Sequence, residues 1–359
     1  YRDSIAKPLY DRGLLAEYPP GSPFKILTGL VALQEGVVDE QTTFMCHHGF
    51  SYARGRFMKC HGFGPHTLHN GIYNSCNTYF AQVYMRTINK YSKPGYAVDV
   101  WSNHVKSFGL GDFMGYDLPT GKKGNIPSSK TYKKIYPNGG WRSTTIVSNA
   151  IGQGEVLMTP IQLANMMATV ANEGYYYTPH IIKKIKGGTI DPKFRVKHET
   201  TIDKKYFKPM ISGLFDVYNF GTASALRVEG IDICGKTGTA ENFAKINGVR
   251  TKLEDHSIFV AFAPKDNPKI AIAILVENGG FGATIAGPIA SLMIEKYLRK
   301  TITRTDLEKR ILERSLRDRY AKLGGMKEAS AIETTPKDTI KKTISTKVRS
   351  TAIDTTKEN

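Results

Sequence analysis

The sequence predicts an α+β protein in which helices cover an antiparallel β-sheet. Three observations carry that expectation. Apolar residues recur at helical spacing through much of the 359-residue chain, β-rich runs joined by tight turn signals crowd its last third, and one more apolar helix pattern follows those runs. With 40% hydrophobic residues, the chain can bury a substantial core.

The first helix is read from Phe24 to about Leu33, where Phe24, Leu27, Leu30 and Val31 share a face and Gly36 supplies the stop. From Val38 to His69 the chain is polar and rich in Gly and His, the composition of a loop or short strands. "LHNGIYNSCNTYFAQVYMRT" returns to helical patterning, whereas 101–140 reads as loops around short elements. "TPIQLANMMATVANEG" carries Thr159 as N-cap, Pro160 in the first position and Gly174 as stop.

Beyond Tyr206 the pattern changes to the β-rich runs "IDICGKTGTAENF", "HSIFVAFAP" and "KIAIAILVEN". The link "PKDNP" is short enough to make its neighbours antiparallel. "AGPIASLMIEKYLRK" closes the compact part as a helix. The expected organisation is one domain over 1–300, a charged amphipathic helix over 301–323, and a tail over 324–359 that is too poor in large apolar residues to order itself.

A net charge of +18 raises the question of nucleic acid, but the basic residues are scattered and no helix-turn-helix, zinc-finger spacing or RNA-binding aromatic motif accompanies them. No nucleic-acid partner is expected; an anionic polymer or membrane surface suits the charge. The apolar run 271–277 falls well short of the roughly 18 residues that span a bilayer. The opening "YRDSIAKPLYDRG" lacks the apolar stretch of a signal peptide.

Chemistry is suggested first by Ser22 and Lys25 in "PPGSPFK". On a helix, residues three apart meet on one face, so the lysine can take the serine's proton if it is neutral near pH 7. Burial and a second cation bring a lysine into that range. The plainer reading is a serine cap and a solvated lysine. Ser75 and Asn77 in "NSCNTYF" form an S-x-N arrangement, a hydroxyl for proton relay and an amide for a peptide carbonyl. In "CGKTGTA", Lys236 offers the second cation, Thr237 and Thr239 offer hydroxyls for a carboxylate, and Gly238 marks a strand that something approaches closely. An edge strand with a solvated lysine is the plainer alternative here.

Taken together, S-x-x-K, S-x-N and K-T-G in this order are the motif set of penicillin-binding proteins and serine β-lactamases. With "PPGSPFK", "SCNTYF", "IGQGEVLMTPIQLANMMATVANEG", "GKTGTA" and "HSIFVAFAP", residues 15–300 resemble the transpeptidase domain of class B penicillin-binding proteins. "IGQG" at 151–154 and "ENGG" at 277–280 resemble the elongation-type branch, penicillin-binding protein 2. Two departures stand out: Cys76 inside the middle motif, and a membrane anchor and pedestal that this chain does not carry.

The resemblance implies the penicillin-binding protein fold and a peptidoglycan D,D-transpeptidase. Ser22 would attack the penultimate D-alanine of a stem peptide, with Lys25 as base and Ser75 with Lys236 passing a proton to the leaving amine. The backbone N–H groups of Ser22 and Thr239 would stabilise the oxyanion. Asn77, Thr237, Gly238 and Thr239 would bind substrate, and β-lactams would acylate Ser22. No cofactor is implied for catalysis. The implied setting is the periplasmic side of the inner membrane, with an N-terminal anchor and a SEDS-type glycosyltransferase of the elongation complex as partner. A β-lactam sensor that is acylated and signals, and a β-lactamase, use the same motifs but are more compact families.

Cys46, Cys60, His66 and Cys76 form a C-x13-C-x5-H-x9-C pattern that matches no standard finger, although thiolates and imidazole suit a closed structural zinc site. A disulfide or free thiols remain open on spacing alone, with His48 and His61 as alternative ligands. The resemblance implies a zinc beside the S-x-N motif, with Cys46 and Cys60 standing where relatives carry acidic ligands. Cys234 reads as a core residue.

Overall fold

The computed structural model describes residues 7–246 and 248–321. Its central sheet consists of strands Cys234–Ala240, His256–Ala263 and Ile270–Val276, in that spatial order and antiparallel throughout. The middle strand is buried from Ser257 to Ala263, which explains why "SIFVAFA" lacks polar alternation: both its faces are covered. Helices Pro160–Ala171 and Ala286–Arg299 pack on the second and third strands, and helix Phe207–Asn219 packs on the first.

Helix Lys25–Gln34 is buried from Lys25 through Leu33, so it is an interior helix rather than an amphipathic surface one. Helix Asn77–Asn89 lies beside it, and Trp101 of helix Pro94–Lys106 locks the two. The Trp101 ring lies 6.0 Å from that of Phe24 and 5.5 Å edge-on from that of Tyr84. Such aromatic pairs contribute about 0.5–1.5 kcal/mol each beyond their burial.

Four expectations need correction. The Gly- and His-rich segment forms a long hairpin, Phe44–Ala53 with Arg56–His66, whose register slips between His47 and Gly49, where His48 takes φ 58°. That irregularity hides the alternation from the sequence. Helix Phe207–Asn219 lies in a region read as strand, although Phe207, Met210, Ile211, Leu214, Val217 and Tyr218 mark a clean helical face. The 68–89 segment is two helices, Leu68–Tyr73 and Asn77–Asn89, broken at Ser75. The charged helix is also two pieces, Thr305–Leu312 and Arg317–Ala321. The expected tail over 324–359 lies outside the described residues. Among the described residues, no helix is long and apolar enough to cross a membrane.

Candidate active site

The site begins at the turn before the buried helix. Tyr18 is held by a backbone bridge to Met158 and by a 2.8 Å hydrogen bond from its hydroxyl to Glu277 of the "ENGG" segment. Gly21 follows at φ 62°, its N–H donating to the Gly152 carbonyl of "IGQG" at 3.0 Å. A Cβ on Gly21 would lie 2.7 Å from the Thr239 carbonyl oxygen, so this position admits no side chain on either count. Ser22 then opens a 3₁₀ turn, Ser22–Phe24, that feeds directly into the Lys25–Gln34 helix.

Lys25 is fully buried, which rules out the reading in which it points to water. Its amine donates to the Ser75 carbonyl at 2.7 Å and to Asn77 Oδ1 at 2.6 Å, and lies 3.1 Å from Ser75 Oγ. Ser75 Oγ in turn is 3.0 Å from Ser22 Oγ. The path from Ser22 to Lys25 therefore runs through Ser75: with the amine neutral, two N–H bonds hold the carbonyls while its lone pair faces the Ser75 hydroxyl. Burial pushes the Lys25 amine down to about 8, against a smaller upward pull from the Cys60 and Cys76 sulfurs.

Ser75 sits at φ 56°, a left-handed conformation that costs a non-glycine residue on the order of 1–3 kcal/mol. The bond from Lys25 to its carbonyl and the Cys76 N–H bond to Gly71 hold it there. The Asn77 amide is engaged at both ends, accepting from Lys25 and donating to the Lys59 carbonyl at 2.7 Å. One N–H and one lone pair are left for a ligand.

Strand Cys234–Ala240 closes the other side. Lys236 is fully buried, and that burial, with the positive charge of Lys25 second, holds it well below the ordinary lysine range. The two amines thus share one dry environment. Thr237 and Thr239 alternate onto the more open face. A Cβ on Gly238 would lie 2.6 Å from Pro23 Cδ, so the bare strand lets the Ser22 turn seat against it. Gly238→Val is expected to wedge the two apart, lowering stability by about 1–3 kcal/mol as an overpacked contact does. A thermal melt checks it; an unchanged melting temperature would mean that the Ser22 turn does not seat tightly on this strand.

The sulfurs of Cys46, Cys60 and Cys76 are buried and lie within 4.8 Å of one another. Cys60 and Cys76 stand 3.7 Å apart, beyond disulfide length, and none of the three is bridged. Cys60 Sγ accepts N–H bonds from Gly62 at 3.3 Å and Asn77 at 3.2 Å, and Cys76 Sγ accepts from Tyr79 at 3.4 Å. The hydrogen bond shared by Cys60 and Cys76 lowers the first thiol and raises the second, so the pair favours holding one proton between its two sulfurs. His66 is buried at the rim with its Nδ1 bonded to the Gly64 carbonyl at 3.0 Å, but it is not within the mutually close sulfur group. Its Nε2 and the Cys46 sulfur both border Gly62. Cys234 is a buried core residue, as expected.

Two residues escaped the sequence reading. Thr222 bonds Thr237, hydroxyl to hydroxyl, at 2.7 Å, and Lys59 offers the carbonyl that orients Asn77. Neither belongs to a motif. The loop that carries Thr222 follows the unrecognised helix, and the hairpin that carries Lys59 was read only as a loop or short strands.

The profile described as penicillin binding protein transpeptidase domain matches residues 2–295. The chain is 32% identical over 302 residues to the peptidoglycan D,D-transpeptidase MrdA of Acinetobacter baumannii, covering 79% of this chain and 43% of that protein. It thus spans less than half the length of that curated relative. Among solved structures, Pseudomonas aeruginosa PBP2 in complex with WCK 5153 superposes with a TM-score of 0.70 at 30% identity, over 83% of this chain and 64% of that one. A chain from a peptidoglycan synthase complex that coordinates polymerization and crosslinking gives the same TM-score and identity, over 83% and 49%.

Proposed function

This chain belongs to the penicillin-binding protein transpeptidase domain family, and from that premise we propose that its cleft is a peptidoglycan D,D-transpeptidase centre acylated at Ser22. The observation that carries the reading is the relay Ser22 Oγ–Ser75 Oγ–Lys25 Nζ, with links of 3.0 and 3.1 Å, ending on a fully buried amine. The transpeptidase domain proper is residues 1–300.

Ser22 Oγ attacks the carbonyl of the penultimate D-alanine while its proton passes through Ser75 to Lys25. The N–H groups of Ser22 and Thr239 receive the oxyanion, each such donor supplying about 3–4 kcal/mol. Ser75 and Lys236 return a proton to the leaving amine, and Thr237 and Thr239 hold the terminal carboxylate against the bare Gly238. Asn77 orients Lys25 and keeps one N–H for the peptide backbone. An amine of a second stem peptide then takes the acyl group. β-Lactams follow the first half of this path and stop.

The pH dependence tests the relay. Lys25 acts as base only when neutral, and with its amine at about 8 roughly one tenth is neutral at pH 7 and roughly one hundredth at pH 6. The rate of acylation by a fluorescent penicillin is therefore expected to climb from pH 6 and level off above about 8. A flat profile across that range would remove Lys25 as the base.

Zinc is the second part of the proposal. Two sulfurs on one tetrahedral zinc, each about 2.3 Å from it, stand roughly 3.8 Å apart; Cys60 and Cys76 are at 3.7 Å. Backbone N–H bonds of the kind that Cys60 and Cys76 accept support thiolate ligands. Cys46, Cys60 and Cys76 would hold the ion, with His66 as fourth ligand through Nε2. Its contribution would be structural, tying the hairpin to the turn that carries Ser75 and Asn77. About one zinc per chain is expected by metal analysis, with these three thiols protected until a chelator is added. Less than about half an equivalent, with all three freely titrated, would contradict it.

The MrdA relative, a peptidoglycan D,D-transpeptidase, supports stem peptides as substrates; β-lactams as ligands follow from the acyl-enzyme proposed at Ser22. The neighbour from a peptidoglycan synthase complex supports a polymerising partner; we further propose that this partner is a SEDS-type glycosyltransferase of the elongation complex, on the periplasmic side of the inner membrane.

A further inference from the structure

Helix Pro160–Ala171 leads into a short antiparallel pair, Tyr175–Tyr177 with Lys197–Glu199, and residues 178–196 make an excursion between the two strands. Its neck is closed by the His180 ring, stacked at 4.5 Å on Phe194, which is buried. The excursion thus keeps one large apolar residue inside, yet it turns others out: Ile181 is 73% exposed, Ile185 44% and Ile182 39%. In "HIIKKIK" these isoleucines are interspersed with Lys183, Lys184 and Lys186, all exposed. Lys193 and Lys197 pair with Asp191 and Glu199, whereas Lys183, Lys184, Lys186 and Arg195 have no acidic partner among the described residues. The Asp117 carboxylate accepts the N–H groups of Ile181 at 2.9 Å and of Ile182 at 2.8 Å. The backbone donors at two exposed isoleucines are therefore already satisfied, and an apolar medium would not strand them.

We propose that this excursion is a docking surface for a bilayer with anionic headgroups. Ile181, Ile182 and Ile185 enter the boundary between headgroups and acyl chains, while Lys183, Lys184, Lys186 and Arg195 meet the phosphates. Apolar side chains set among cations are the combination by which a segment lies in a membrane interface. The lysine stems add apolar contact of their own as the amines reach for the headgroups. A nucleic acid or an acidic glycan would satisfy the cations and leave the isoleucines in water; a bilayer answers both. No residue of the cleft or of the sulfur cluster lies in 178–196, so the chain would bind lipid whether or not it takes penicillin.

The test is flotation of the 359-residue chain with protein-free vesicles of phosphatidylcholine, alone or mixed with an equal part of phosphatidylglycerol. Binding is expected to the mixed vesicles. It should weaken when salt rises from about 0.1 M to about 1 M, because the screening length shrinks from about 10 Å to about 3 Å. Lys183→Gln combined with Lys184→Gln and Lys186→Gln is expected to weaken binding about a hundredfold, at about fivefold per lysine. Ile181→Ser combined with Ile185→Ser keeps every charge and is expected to weaken it about tenfold through lost apolar burial alone. All five positions are exposed, so thermal melts of both variants should match wild type and show that they fold. A wild-type chain that floats with neither vesicle would overturn the lipid surface and leave the patch to an acidic protein partner. An isoleucine variant that binds as tightly as wild type would overturn it too, since attraction by the basic surface as a whole would then suffice.

Discussion

Replacing Ser22 by alanine is expected to abolish covalent labelling by a fluorescent penicillin and any transfer activity, with a rate loss on the order of a millionfold, the scale seen where a serine nucleophile is removed. Stability should change little, within about 0.5 kcal/mol. Ser22 is only partly buried, and it caps no helix: Gly21 stands at the N-cap of the turn and no side-chain cap bond is made. Removing its hydroxyl deletes the contact with Ser75 and leaves the packing of Pro23 and Phe24 as it was. Labelling that survives the substitution at a measurable rate would transfer the nucleophile to another residue.

Lys25→Met should have the next largest effect. Methionine fills the space of the buried lysine stem without an amine, so the Ser75 relay ends on nothing that can accept a proton. The expected loss of acylation rate is about 10²–10⁴-fold, the range for a positioned general base. The residual rate should lose its rise between pH 6 and 8. The substitution also leaves the Ser75 carbonyl and Asn77 Oδ1 without the bonds they accept from Lys25, and each buried acceptor so stranded costs about 1–3 kcal/mol. A variant that still labels with the wild-type pH profile would show that another group takes the proton.

Much of this site was legible in the sequence because its parts are local. Ser22 and Lys25 lie within one turn, three residues apart, so their meeting on one face could be read locally. Ser75–Asn77 and Lys236–Thr239 are equally short. The strands His256–Ala263 and Ile270–Val276 were legible for the same reason: short, mostly apolar runs with Ile and Val among them, set between turn signals, permit little else.

The rest depends on long-range packing. Nothing near Ser75 in the chain predicts its left-handed backbone; the conformation is held by Lys25, fifty residues away. The hairpin carrying Cys46 and Cys60 lacks an alternating pattern because only a few of its positions, among them Phe44, Cys46, Cys60 and His66, are buried, against the Asn77–Asn89 helix and the sulfur cluster. Helix Phe207–Asn219 contains Pro209 and Gly213, both poor helix formers, which masks a clear apolar face. Gly213 is there because Ile72 packs 3.3 Å from where its Cβ would be.

The most direct measurement is peptide mapping by mass spectrometry of the chain after reaction with a penicillin. If three distant segments do close around one hydroxyl, a single adduct of the full drug mass appears on the peptide containing Ser22, and none forms at pH 6 as fast as at pH 8. An adduct on any other side chain, or none on intact and folded protein, would contradict the account.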